Sequence, residues 1–221
     1  MGKYNQGIYG PYSGRVGNVI GTFWKGRPVM RIRAASHTDA NTLLQQTQRM
    51  RFRLVSSFIK AHEKLVRLGY ATADLSLSAF NSAMKYNITN AVTGTFPTLK
   101  LDLAKVRLSD GNRDNLEGVS VTALPAGQIK IDWTDNSGNG IGESTDKIYL
   151  SIGSADSGEV FITDANGASR LDETVTLTVP TGWSGRTVSV IGFTVKDGVT
   201  VQATDADDVS TSANYGSVTV L

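Results

Sequence analysis

The chain has 221 residues, 40% of them hydrophobic, with 23 glycines and five prolines, the composition of a folded protein rather than a disordered one. It has no cysteine, which excludes disulfides, thiol catalysis and cysteine-ligated zinc or iron–sulfur centres. The net charge of +2 conceals an asymmetry: residues 1–70 hold twelve of the 22 lysines and arginines but only Asp39 and Glu63 of the 20 carboxylates. The first part thus carries +10 and the remainder −8, which points to a charged partner or to mutual neutralisation within or between copies.

The first 26 residues place a glycine every three to five positions, from Gly2 to Gly26, with Tyr4, Tyr9, Tyr12, Phe23 and Trp24 between them. Met1 to Pro11 lacks the apolar centre of a signal peptide, and no stretch approaches the roughly 18 apolar residues of a membrane helix. The expectation is a chain made without export, working in the cytoplasm or within an assembled particle, with an extracellular site left open and no membrane insertion. Residues 1–14 have few large apolar side chains to hold them on their own body. Tyr4, Ile8, Tyr9 and Tyr12 are therefore expected to anchor on another subunit, glycine allowing close approach. The competing expectation is a tuck of Tyr9 and Tyr12 over the chain's own helices.

Val16–Trp24, the turn Lys25–Gly26 and Arg27–Arg33 read as a β-hairpin. In its return arm Met30 and Ile32 alternate with Val29, Arg31 and Arg33, giving an apolar face and a largely basic one. From Asp39 to Leu68 apolar residues recur at helical spacing, with Gly69 as a stop. Arg49, Arg53, Lys60, Lys64 and Arg67 fall opposite the apolar stripe, whereas Arg51 falls inside it. A second helix is predicted from Ser76 to Val92 with the stripe Phe80, Met84, Ile88, Val92, pairing with the first as an αα-hairpin.

After Pro97 the hydrophobic period falls to about 2. Strands are predicted at Leu99–Leu108, Val119–Leu124, Gln128–Thr134, Lys147–Ile152, Glu159–Thr163, Thr174–Val179, Val188–Val195, Val199–Ala203 and Ser217–Leu221, spaced as in an Ig or fibronectin III sandwich. Ile129, Ile131 and Trp133 share one face, so Trp133 is a core tryptophan. The fold class is thus α+β: a β-hairpin and an αα-hairpin in a basic domain, residues 1–97, then an acidic Ig-like sandwich, residues 98–221, expected to fold alone.

Chemistry-bearing motifs are few. His37 and His62 are the only histidines, and His62–Glu63 lacks the second histidine of a helical zinc motif, so His62 reads as a packed core residue. No nucleophile elbow, phosphate loop or dinucleotide fingerprint occurs, and no cofactor is expected. The loop Asp135–Asp146 has oxygen-bearing residues at calcium-loop positions 1, 3, 5, 9 and 12, namely Asp135, Ser137, Asn139, Glu143 and Asp146, with Gly140 at position 6. Its last position is Asp rather than Glu and its flanks are strands, so an ordinary turn-rich loop is the stronger reading. The helical stripe with Arg27, Arg31 and Arg33 forms a basic face able to contact nucleic-acid phosphates, with neighbouring aromatics able to stack.

The opening Met1-Gly2-Lys3-Tyr4-Asn5-Gln6-Gly7-Ile8-Tyr9-Gly10-Pro11-Tyr12-Ser13-Gly14-Arg15-Val16-Gly17-Asn18-Val19-Ile20-Gly21 resembles a bacterial family of about this length, classed as a domain of unknown function. Trp24-Lys25-Gly26, Ala79-Phe80-Asn81, Asn90-Ala91-Val92-Thr93-Gly94 and Trp133-Thr134-Asp135-Asn136-Ser137-Gly138 carry the same resemblance, which covers essentially the whole chain. It implies no activity and no site residues. From the residues, the leading expectation is a non-enzymatic, self-assembling structural protein, a subunit of a filament, tube, shell or phage-like particle. A nucleic-acid-binding protein is the second expectation. The third is an adhesion or glycan-binding module, with Trp183 and Tyr215 as exposed aromatics.

Overall fold

The structure is a computed structural model that describes residues 3–4, 10–34, 39–70, 77–154, 160–200, 203 and 205–221. It divides into two compact units, Met1–Thr42 and Leu43–Leu221. The first is an antiparallel meander of β1 (Lys3–Tyr4), β2 (Tyr12–Val16), β3 (Val19–Trp24) and β4 (Arg27–Ile32), in that order. The predicted turn is present: Lys25 and Gly26 have φ of 48° and 76°, left-handed at both central positions, which matches the twist of a two-residue hairpin. The predicted first arm is shorter at its start because a second reversal, with Gly17 at φ 59°, pairs Val16 with Val19. A hairpin was expected, and a four-stranded sheet is found.

In the second unit, α1 (Leu43–Ala61) and α2 (Glu63–Gly69) replace the single predicted helix. The break is His62, with φ −101° and ψ 20°. Its Nδ1 lies 2.8 Å from the Phe58 carbonyl and so donates to it, leaving Nε2 to accept from Ser151 Oγ at 2.7 Å. The fully buried ring therefore anchors the helix to the sandwich as a neutral imidazole, and burial lowers its pKa. α3 (Ala79–Asn90) starts at Ser78, whose side chain accepts from the Asn81 amide, and packs on α1 and α2. The predicted start at Ser76 lies outside the described residues.

β5 (Val92–Thr93) and β6 (Lys100–Leu101) form a short hairpin. The predicted strand Leu99–Leu108 goes no further, because its backbone groups find side-chain partners instead of a ladder. Buried Asn87 donates to the Arg107 carbonyl and accepts from the Arg107 amide, and the Leu108 amide donates to Ser212 Oγ.

β7 (Glu117–Leu124), β8 (Gln128–Thr134), β9 (Lys147–Ser154), β10 (Val160–Thr163), β11 (Thr174–Thr178), β12 (Thr187–Val195) and β13 (Ala213–Thr219) complete the unit. They form two antiparallel sheets, ordered β11-β8-β7 and β10-β9-β12-β13, an Ig/fibronectin III-like sandwich. Val199, Thr200 and Ala203 are not in a strand as predicted, and 201–202 lie outside the described residues. Ile129, Ile131 and Trp133 of β8 meet Ile148, Leu150 and Ile152 of β9 and Val188 and Val190 of β12 in the inter-sheet core. Trp133 is buried, its indole N–H donating to the Arg170 carbonyl at 2.8 Å.

A second core lies on the other side of β12, where Ile191, Phe193 and Val195 meet Val55, Ile59, Leu65, Val66 and Met84 of the helices. Burial on both faces explains why β12 reads as a nearly continuous apolar run. Gly192 is required there, since a Cβ would meet the Tyr215 ring at 2.4 Å and Leu150 at 2.6 Å. The helices thus share a core with the sandwich, and the division falls after Thr42 rather than after residue 97. No described helix is long and apolar enough to cross a membrane.

Candidate functional site

The register of the N-terminal sheet assigns its side chains to two faces of opposite chemistry. β3 pairs Val19 with Ile32, Gly21 with Met30 and Phe23 with Pro28, while Ile20, Thr22 and Trp24 pair with Arg31, Val29 and Arg27. β2 places Val16 opposite Val19 and Arg15 opposite Ile20, and β1 pairs Lys3 with Ser13. Because side chains alternate along a strand, Tyr12, Val16, Val19, Phe23, Met30 and Ile32 share one face, which bears no charge. Lys3, Arg15, Arg27 and Arg31 share the other with Trp24. The alternation expected for the β4 arm therefore extends across the sheet. Lys25 Nζ stands 5.2 Å from the Trp24 ring centroid, adding a cation to that side.

Among the described residues much of the apolar face is exposed. Met30 is 70% and Ile32 80% exposed, and Val16 and Phe23 are also exposed. Among the described residues Tyr12 closes part of this face, its ring atoms standing 2.8 Å from where a Cβ at Gly21 would be. Tyr12 thus lies over a glycine of its own sheet, and Tyr4 pairs in register with it. The arm expected to reach a neighbour through Tyr4, Ile8, Tyr9 and Tyr12 is in part a component of its own sheet. Ile8 and Tyr9 lie outside the described residues.

The eight cations predicted as one basic face are divided between the units. Arg27 and Arg31 lie in β4 with Arg33 just beyond it. Arg49, Arg53 and Lys60 are exposed on α1, and Lys64 and Arg67 are exposed on α2 beyond the break at His62. Arg67 pairs with Glu63 at 3.7 Å, a solvent-exposed contact of small energetic weight. The first turns of α1 expose Leu43 and Leu44, the latter by 82%, and Phe52 further on. Arg51 sits in the stripe they continue, its Nε buried without a hydrogen-bond partner.

The candidate calcium loop is put to another use. Asp146 is fully buried and accepts from Arg113 Nε at 2.8 Å and Nη2 at 2.6 Å, from Arg170 Nη2 at 3.1 Å and from the Glu143 amide at 3.0 Å. Asp135 accepts from the Ser137 amide and hydroxyl, closing a local turn. Glu143 stands 3.4 Å from Arg113. Two guanidinium groups saturate the carboxylate a cation would need, and no three Asp, Glu or His among the described residues are placed to hold a metal. The loop is a structural staple, with Arg170, fully buried, also donating to the Asp114 carbonyl at 2.6 Å and to Asn136 Oδ1. Arg113 and Arg170 lie 33 and 24 residues from Asp146, so no local spacing in the sequence announced them.

Neither aromatic expected on the sandwich surface is fully exposed, Trp183 being buried and Tyr215 half-buried. Trp183 is buried in the inter-sheet core. The Tyr215 hydroxyl donates to Asn115 Oδ1 at 2.6 Å, and burial raises its pKa.

The sandwich is similar in outline to solved fibronectin type III structures. They include the fn3 domain of human collagen alpha-1(XX) chain, with 11% identity over 49% of this chain and 86% of that one at TM-score 0.36. The fn3 domain of human contactin 1 shows 8% identity over 51% and 83% at TM-score 0.32. No curated protein sequence matches. A family profile does match, over residues 11–205, and the chain belongs to that family, a family of unknown function (DUF6266).

Proposed function

We propose that the protein is a non-enzymatic structural subunit that assembles with copies of itself into a filament, tube, shell or phage-like particle. The observation that carries this reading is the uncovered apolar face of the N-terminal sheet, seen most plainly at Met30 and Ile32. A contiguous exposed apolar surface marks an interaction site, and a single-layer sheet needs something packed on it to be stable in water. The exposed start of α1, with Leu43 and Leu44, offers a second contact. Growth beyond a closed pair requires two such surfaces.

The test is the mass in solution by light scattering across a range of concentrations, for the full chain and for a deletion of residues 2–14, which removes β1 and part of β2. The full chain should be oligomeric and the deletion folded but monomeric. A full chain that stays monomeric at high concentration contradicts the reading.

The basic face favours a second reading, binding of nucleic acid. Lys3, Arg15, Arg27 and Arg31 flank Trp24 on one surface, combining phosphate-neutralising charge with a stacking platform. Replacing Arg15, Arg27 and Arg31 by Gln should then lower both affinity and its dependence on salt, and absence of binding at low salt removes this reading. The adhesion or glycan-binding reading loses Trp183 to the core and keeps the half-buried Tyr215.

A further inference from the structure

We infer that the apolar face of the N-terminal sheet packs against the same face of a second copy, forming a two-layer sandwich about a twofold axis. The inference rests on the self-assembly reading and specifies the contact that begins it.

Charge placement selects this occupant. Residues 1–42 contain six cations and a single carboxylate, Asp39. The register puts the four cations within strands on the face that carries Trp24, and none on the face that carries Met30. Two apolar faces can therefore meet without enclosing a charge, and the cations of both copies point outward, away from one another. A covering element that brought a charge would bear the desolvation cost of burying it. Another bare apolar surface, on α1, does bring one, for Arg51 lies in its stripe. Closing a sheet over α1 would seal that guanidinium further from water, whereas the sheet's own apolar face contains no such group.

Size sets the strength. The four strands, about 4.8 Å apart and of two, five, six and six residues, make a footprint of roughly 300 Å² a copy, or about 600 Å² for the pair. That is below the roughly 1,200 Å² of a standard stable interface, so the contact is a reversible one. An isologous pair also joins copies through their N-terminal units and leaves each body available for further contacts.

The absence of cysteine provides the test, because any introduced thiol is the only one. Val19→Cys, Phe23→Cys and Met30→Cys mark the apolar face, and Ile20→Cys, Thr22→Cys and Val29→Cys mark the basic one. With a short thiol-to-thiol cross-linker, the first set should give covalent dimers and the second should not. The double substitution Met30→Asp with Ile32→Asp should raise the concentration at which the pair dissociates by about tenfold or more. Cross-linking of both sets alike, or an oligomer indifferent to the double substitution, overturns the inference while leaving self-assembly standing. A wild-type chain that is monomeric throughout overturns both.

Discussion

β4 and β12 are both antiparallel strands rich in apolar residues, yet they occupy opposite environments. Every residue of β4 is exposed, whereas β12 is buried at all positions but Thr187 and Ser189. β12 lies between two cores, the inter-sheet one and the one it shares with the helices. The apolar face that includes Met30 and Ile32 of β4 has the amphipathic character of a core layer without the second layer. Read together, the two regions separate what the chain spends on folding its body from what it holds available for contact with another molecule. Substitutions should sort the same way, those in the body changing stability and those in the sheet changing association.

The largest expected effect is at the buried staple. Asp146→Ala leaves the guanidinium groups of Arg113 and Arg170 enclosed without their carboxylate, which should cost about 3–5 kcal/mol. Denaturant titration of the body would read it as a lower midpoint, and an unchanged midpoint would show the cluster to be dispensable. Phe193→Ala, at a fully buried position between helices and sheet, should cost about 3–5 kcal/mol by transfer and cavity formation. Met30→Ala should change unfolding of the body by less than about 0.5 kcal/mol and shift only the oligomer distribution. A similar stability loss for the two would erase the contrast.

Much of this contrast was legible beforehand. The Lys25–Gly26 turn and the alternation of Met30 and Ile32 with Arg31 predicted a two-faced hairpin, because both signals are local. The β8 strand and its core Trp133 followed from period-2 alternation in the same way. What escaped depended on partners distant in sequence. The helices belong to the body because Ile191, Phe193 and Val195 need cover, and His62, at the break, is hydrogen-bonded to Ser151, 89 residues away. The acidic loop resembled a cation site by spacing alone, while Asp146 was already committed to Arg113 and Arg170.

His62 supplies a pH dependence of smaller size. Its pKa is lowered in the folded state below the ordinary 6.5, so on acidification the unfolded chain takes up the proton first. Stability should be full above about pH 6.5 and decline as pH falls below it. Thermal melts of the wild type and of His62→Gln between neutral and mildly acidic pH would test this, the variant losing that part of the slope. An identical slope in both would place the dependence elsewhere.

The central claim is that the N-terminal sheet joins copies of a body that stands without it. Light scattering of the full chain beside residues 43–221 tests this most directly. The full chain should have a mass that rises with concentration above that of one copy, and the folded body should remain at the mass of one copy throughout. Equal states of association for the two proteins would contradict it.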